Sequence, residues 1–369
     1  MPAHTRLVSL DIFRGLAIAG MMLTNNPGSY EYVYPYLDHA QWHGWTPVDL
    51  VFPFFLFIMG TSLVWALDRE KVKWGGPGGV AGKTIRRALI LLGLGLFYNG
   101  FPNFDWPSLR IPGVLQRIAL IYLLAVGLHL RLGSRGVAAL MVAILLGYWG
   151  MMALLPVPGL GQPSMLKETN LVAWLDHMIM RGHLWEYDTP WDPEGLLSTL
   201  PALCIALAGL LTGRAMRARP GRCLAALTGW GAGLLLLGLL WDAWYPINKG
   251  LCTSSFVVFS SGAAILLLAA CHWLADVKQQ TAWARPLVVL GGNSLALYLL
   301  SEFLEKILFL VTVQAGPGGP VNLHAFLYDR FFASWLAPLH ASLAWALFFL
   351  SLYLGLAWLL YRRRIFLKI

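Results

Sequence analysis

Charge is what this sequence has least of. Asp, Glu, Lys and Arg make up 12% of its 369 residues, where soluble domains carry about a quarter. The apolar residues come in long blocks, several of them close to the roughly 20 residues a helix needs to cross about 30 Å of hydrocarbon. That excludes a soluble fold, which would have to bury every block in one core. The blocks also lack the short alternating pattern of a transmembrane barrel. Cysteine is scarce: Cys204, Cys223, Cys252 and Cys271 all lie in or beside apolar stretches, with no C-x-x-C pair, and read as small buried side chains. There is no G-x-S-x-G elbow and no Walker or Rossmann glycine pattern, which removes those hydrolase and nucleotide-binding classes. No low-complexity tail is present. The first apolar stretch is interrupted by Asp11 and Arg14 and followed by Thr24-Asn25-Asn26-Pro27, so it reads as a retained span and not a removable signal.

What remains is an all-α, polytopic membrane bundle over residues 1–369. About ten spans are expected, near 7–24, 47–67, 85–98, 112–130, 136–155, 196–213, 223–241, 253–274, 286–312 and 338–361; an eleventh arises if 322–336 is a further partial span instead of an interfacial helix. The net charge of +9 is not a nucleic-acid signature. Its cations alternate between loops: Arg69, Lys71, Lys73, Lys83, Arg86 and Arg87 in one, then Arg131 and Arg135, then Arg214, Arg217, Arg219 and Arg222, then Lys278 and Arg285, then Arg362, Arg363, Arg364 and Lys368. The opposite loops hold only Arg110, Lys167, Arg181, Lys249 and Arg330. By the positive-inside rule both termini are cytoplasmic. The long outer loop 156–195 is rich in Trp and acid, and its start has the pattern of an amphipathic helix lying on the membrane.

Ionisable residues inside apolar spans cost at least about 2.5–3.5 kcal/mol. They are therefore candidates for a polar cavity or for structural pairing. They are Asp11 and Arg14, Asp49, Arg117 in "RIPGVLQRIALIY", and Asn293, Glu302, Glu305 and Lys306 in or near the ninth span. Of nine histidines, His39 and His43 keep distinctive company in "NNPGSYEYVYPYLDHAQWHGWTPVDLVFPFFLFIMG", a stretch with no Lys or Arg. Histidine takes and returns a proton near neutral pH. An H-x-x-x-H metal pair is a weak alternative without a third ligand. The residues alone leave enzyme and transporter open.

The stretch "SLDIFRGLAIAGMMLTNNPGSYEYVYPYLDHAQWHGWTPVDLVFPFFLFIMG" resembles the heparan-α-glucosaminide N-acetyltransferase family of transmembrane acyltransferases. So, in the family's order, do "RIPGVLQRIALIY", "WDPEGLLSTLPA", "NKGLCTSSFVVFSSG", "GGNSLALYLLSE" and "YRRRIFLKI". The resemblance implies a compact bacterial-type member in the cytoplasmic membrane. It implies transfer of acetyl from cytosolic acetyl-CoA to an amino sugar on the outer side, without a metal, and a homodimer. Its active-site histidine lies in an H-A-x-W segment, here His39. Its asparagine at the end of the first span is Asn25 or Asn26. His43 stands where the animal enzyme has asparagine and is not assigned to catalysis. Asp49 is a candidate to orient the imidazole. A neutral imidazole can take the amine proton and return it to the thiolate, while an asparagine amide can serve the oxyanion. An acetyl-imidazole route remains open beside direct transfer. Arg6, Arg14, Arg86, Arg87 and Arg117 are the candidates for coenzyme A. Trp42, Asp192, Glu194, Lys249, Asn293 and Glu302 are the candidates for the acceptor sugar. A sugar transporter and an envelope-polysaccharide O-acetyltransferase are the competing readings.

Overall fold

A computed structural model of the chain describes residues 7–73, 77–185, 190–219, 222–314 and 319–367. Its helices in chain order are α1 (Val8–Asn25), α2 (Val51–Lys73), α3 (Pro77–Gly100), α4 (Val114–Arg131), α5 (Ser134–Leu154), α6 (Leu171–Met180), α7 (Leu196–Ala218) and α8 (Leu224–Asp242). After them come α9 (Ser254–Cys271), α10 (Arg285–Gly292), α11 (Ser294–Leu310), α12 (Leu323–Tyr328) and α13 (Pro338–Arg362). A small antiparallel ribbon, Thr312–Gln314 with Pro320–Asn322, joins α11 to α12.

Among the described residues seven helices are long and apolar enough to cross a membrane: α2 with its preceding turn, α4, α5, α7, α8, α9 with its continuation, and α13. The pair α10–α11 makes an eighth if it counts as one bent span. The ten expected spans all coincide with helices, but α1 and α3 fall outside this group. Asp11 and Arg14 lower the apolarity of α1, and Lys83, Arg86 and Arg87 do the same for α3. The expected ninth span, 286–312, is two helices bent by 69°. The break falls at Gly292-Asn293, where the backbone turns to φ −128° and ψ 32°. Asn293 is buried there: its amide nitrogen donates to the Ile365 carbonyl (3.1 Å), and its oxygen accepts from the Leu367 N–H (2.8 Å). Residues 322–336 form only the six-residue α12 and a wider turn at Asp329–Ala333, too short to span. The expected amphipathic helix of the outer loop is α6, capped by the Asn170 side chain accepting from the Ala173 N–H at 2.8 Å.

The chain groups into two compact units. One holds the described residues up to Ala40, Thr46–Phe52, and Ala270 onward; the other holds Gln41–Trp45 and Pro53–Ala269. In the first unit α1 lies against α10, α11 and α13. Its buried residues Leu10, Phe13, Ala17 and Met21 recur every three or four positions and form one face. The α1–α10 contact is backbone to backbone. A Cβ on Gly15 would sit 2.0 Å from the Leu287 carbonyl oxygen, and one on Gly291 would sit 2.4 Å from that of Asp11. Small residues allow such close approach between helices in lipid, where packing replaces the hydrophobic drive. In the second unit α7 is the hub, touching α4, α5 and α6, and nearly its whole surface is buried.

Gly15→Ala is expected to cost about 1–3 kcal/mol through overpacking, lowering the melting temperature in detergent. Gly93→Ala in α3 has nothing within 4 Å of the added carbon and should melt like the parent.

Candidate active site

The stretch after α1 is shaped by local hydrogen bonds. Asn26 is 3% exposed, and its side-chain nitrogen donates to the Met22 carbonyl at 3.1 Å, closing the helix end on itself. Asn25, one residue earlier, is only partly buried. Its amide nitrogen donates to Glu302 Oε1 at 2.8 Å. The doubled asparagine therefore divides into a cap and a side chain directed at α11. Tyr30 donates to Glu305 Oε1 at 2.6 Å, one turn further along α11.

The loop then delivers His39. Its Nδ1 lies 2.7 Å from Asp49 Oδ1. The other Asp49 oxygen accepts from the Ala40 N–H (3.2 Å), the Thr46 N–H (2.9 Å) and the Thr46 hydroxyl (3.1 Å). Asp49 is fully enclosed, while the His39 side chain is 48% exposed. A carboxylate accepts and does not donate, so the proton between the two sits on His39 Nδ1 and the neutral ring carries its lone pair on Nε2. The loop closes with the Asp38 carboxylate accepting from the His39 N–H (2.8 Å) and the Thr46 hydroxyl 2.7 Å from the Asp38 carbonyl. Thr46 and Asp49 form a capping box on the turn Pro47–Leu50 that leads into α2. Thr46 was not singled out in the sequence, although T-P-V-D is a readable capping signature.

His43 belongs to the other unit. The backbone around it bends and is not helical, so the spacing of four from His39 carries no shared helical face. His43 Nδ1 lies 3.4 Å from the Asn248 amide nitrogen. Asn248 Oδ1 accepts from the Leu251 N–H, which fixes that amide as the donor and His43 Nδ1 as the acceptor. Burial lowers the His43 pKa, against the pull of the Asp242 carboxylate. Trp42 packs against the buried cluster of Tyr148, Met152, Val172, Tyr245 and Leu251 and donates its indole N–H to the Met165 carbonyl at 2.8 Å; its ring meets Trp191 edge-on at 5.2 Å. It anchors the 41–45 segment in this unit.

Asp192 and Glu194 are held by one cation. Arg110 makes two bonds to Asp192 (2.8 and 2.7 Å) and one to Glu194 (2.6 Å). Its guanidinium also lies over the Trp185 ring at 4.4 Å. Burial alone would lower the Arg110 pKa; the two carboxylates outweigh it and raise it. Asp192 is 0% exposed, while the Glu194 side chain is 13% exposed. Residues 186–189, the other half of the expected acidic entrance, lie outside the described residues. Arg117 is buried and donates to the Gly195 carbonyl (3.1 Å) and the Ser198 hydroxyl, at the start of α7. Lys249 is partly buried in the turn before α9. Arg14 pairs with Asp11 at 3.2 Å. Arg86 is exposed on α3, and Arg87 lies over the Tyr122 ring at 5.2 Å. Arg6 lies outside the described residues.

Beside this network, Asp176 of α6 is completely buried. Its Oδ1 accepts from the Leu196 N–H at 3.0 Å, and its Oδ2 has no hydrogen-bond partner among the described residues. Only glycine fits at 195, where a Cβ would lie 1.9 Å from that oxygen. Burial pushes the Asp176 pKa up to about 6. A raised carboxylate pKa stabilises the fold below the unfolded value of 3.8, and the contribution is lost as pH rises through about 6. Asp176→Asn is therefore expected to flatten the fall in melting temperature across that window, as read by thermal denaturation at a series of pH values.

The family model described as "Heparan-alpha-glucosaminide N-acetyltransferase, catalytic" matches residues 6–238. The human heparan-alpha-glucosaminide N-acetyltransferase is 29% identical over 359 residues, covering 82% of this chain and 53% of the human protein. The mouse protein of the same name is 28% identical over 360 residues, covering 82% and 54%. The chain thus spans about half the length of the curated relatives it matches. The matched segment runs through α1, the His39–Asp49 loop and α7, and on its length this chain belongs to the heparan-alpha-glucosaminide N-acetyltransferase catalytic family.

Proposed function

We propose that this protein transfers the acetyl group of acetyl-CoA to the amine of a glucosamine-type sugar. Coenzyme A enters from the cytoplasmic side and the acceptor from the outer side of a bacterial cytoplasmic membrane. The observation that carries this reading is the 2.7 Å contact between His39 Nδ1 and an Asp49 carboxylate that is itself fully hydrogen-bonded.

The chemistry follows from that contact. The acceptor's amine must be uncharged to attack the thioester carbon. As the C–N bond forms, the nitrogen becomes positively charged and has to lose one of its own protons. His39 Nε2 takes it, and Asp49, already holding Nδ1–H, stabilises the imidazolium. Collapse of the tetrahedral intermediate breaks the C–S bond. The imidazolium then returns the proton to the departing thiolate, leaving the amide and free coenzyme A. The oxyanion formed on the way needs a donor, and the Asn25 side-chain amide is the group proposed for it. Asn26 is spent on its own helix end. Exposed Arg86 and its neighbour Arg87 are the groups proposed for the coenzyme A phosphates, since the planar guanidinium fork matches a phosphate.

Purified protein in detergent, given acetyl-CoA and a panel of amino and plain sugars, is expected to release free thiol only with an amino sugar. His39→Ala should lower kcat by about 10²–10⁴-fold, with a lower melting temperature as well, because Asp49 Oδ1 loses its bond to the ring. Full activity in His39→Ala would overturn the site assignment. Thiol release with plain sugars alone would make the protein an O-acetyltransferase. Sugar flux in liposomes with no acetyl transfer would make it a transporter.

A further inference from the structure

Glu302 has a task distinct from the acceptor contact expected of it. A carboxylate offers only lone pairs, so the Asn25 atom facing it at 2.8 Å is the amide nitrogen, and the amide cannot turn over without placing oxygen against oxygen. On the opposite side of the amide, the Thr24 hydroxyl lies 3.2 Å from Asn25 Oδ1 and 3.1 Å from the Met21 carbonyl, within donating distance of either. The orientation of Asn25 is therefore set from two sides.

The platform that sets it is stiff. Glu302 lies within α11, whose first turn follows the Asn293 staple. One turn later Glu305 accepts from Tyr30, and the same Tyr30 hydroxyl lies 3.3 Å from the Asn25 carbonyl. Between these points the Gly28 N–H donates to the Ser342 carbonyl (3.3 Å), and the Ser29 N–H donates to the Ser342 hydroxyl (3.1 Å). The segment 25–30 is thus tied to α11 at two rungs and to α13 between them. Among the described residues the Asn25 amide donates once, to Glu302, so its second N–H is left for a ligand oxygen.

We propose that Glu302 is the positioning residue for Asn25. It takes one amide hydrogen so that the other points, in a single orientation, at the oxygen that becomes negative during acyl transfer. This rests on the acetyl-transfer reading above. Preorganised donors stabilise a transition state because no reorientation is needed when charge develops. A neutral acceptor at 302 would tolerate either face of the amide; a carboxylate tolerates one.

The test is a double-variant cycle on the purified full chain, with kcat and the KM of each substrate measured beside melting temperature. Asn25→Ala removes the donor, and about a 100-fold loss in kcat is expected. Glu302→Ala should lower kcat by about 10- to 100-fold with the KM for the sugar changed by less than about twofold. Glu302→Gln, which can still accept but no longer forbids the flip, should recover much of that loss. The double variant should be no slower than Asn25→Ala alone, because both act through one hydrogen bond. Should Glu302→Ala fail to fold, Glu302→Asp withdraws the carboxylate by one methylene and serves in its place. Multiplicative losses in the double variant overturn the proposal and leave the acetyl-transfer reading standing. A raised sugar KM at unchanged kcat overturns it too and makes Glu302 a substrate contact. Full activity in Asn25→Ala overturns both this proposal and the oxyanion assignment, while the His39 chemistry stands or falls on its own variant.

Discussion

Asp49 accepts hydrogen bonds from His39, the Ala40 N–H, the Thr46 N–H and the Thr46 hydroxyl, and almost none of it reaches solvent. A buried carboxylate is tolerable only when its lone pairs are filled, and these four donors all come from within ten residues of it. The same two oxygens close the 38–46 loop, start the turn that leads into α2 and fix the tautomer of the imidazole. Membrane entry and base geometry are consequently one structure.

The remaining charges sort by what holds them. Arg110 satisfies Asp192 and Glu194, Arg14 satisfies Asp11, and Arg117 is bound to the first turn of α7. These are groups that a low-dielectric surrounding forces into partnership. Asn25 and His39 differ in remaining partly accessible while held by Glu302 and Asp49. Anchored on one edge and open on another is what a group needs if it is to meet a substrate in a fixed pose.

Much of the helical layout was legible in the sequence because hydropathy reports blocks of apolar residues directly. It is blind to a break inside a block. Residues 286–312 read as one span, and only the hydrogen bonds from Asn293 to the returning tail explain why the helix stops and restarts. The family resemblance pointed to His39, and Asp49 was named beside it without proof of contact. Two adjacent asparagines could not be told apart by type, since the difference lies in which side chain reaches back four residues to Met22. The bonds of Asp192 and Glu194 to Arg110 were not legible, because the cation stands 82 and 84 residues earlier, in a loop no local pattern links to them. Trp42 was legible as a candidate for the sugar but not as a ring packed against the cluster of Tyr148, Met152, Val172, Tyr245 and Leu251, which lie far from it in the sequence.

That separation along the chain also orders the protein's assembly. Arg110 precedes α4, and Asp192 follows α6. The ribosome must therefore deliver α4, α5 and the loop carrying α6 before the first of these residues meets its counter-ion. Until then the guanidinium can be satisfied only by water or lipid headgroups. The bidentate clasp is a late seal, closed by chain made long after the residue it captures. A translation stop anywhere between them would leave a fragment in which Arg110 lacks both of these carboxylates.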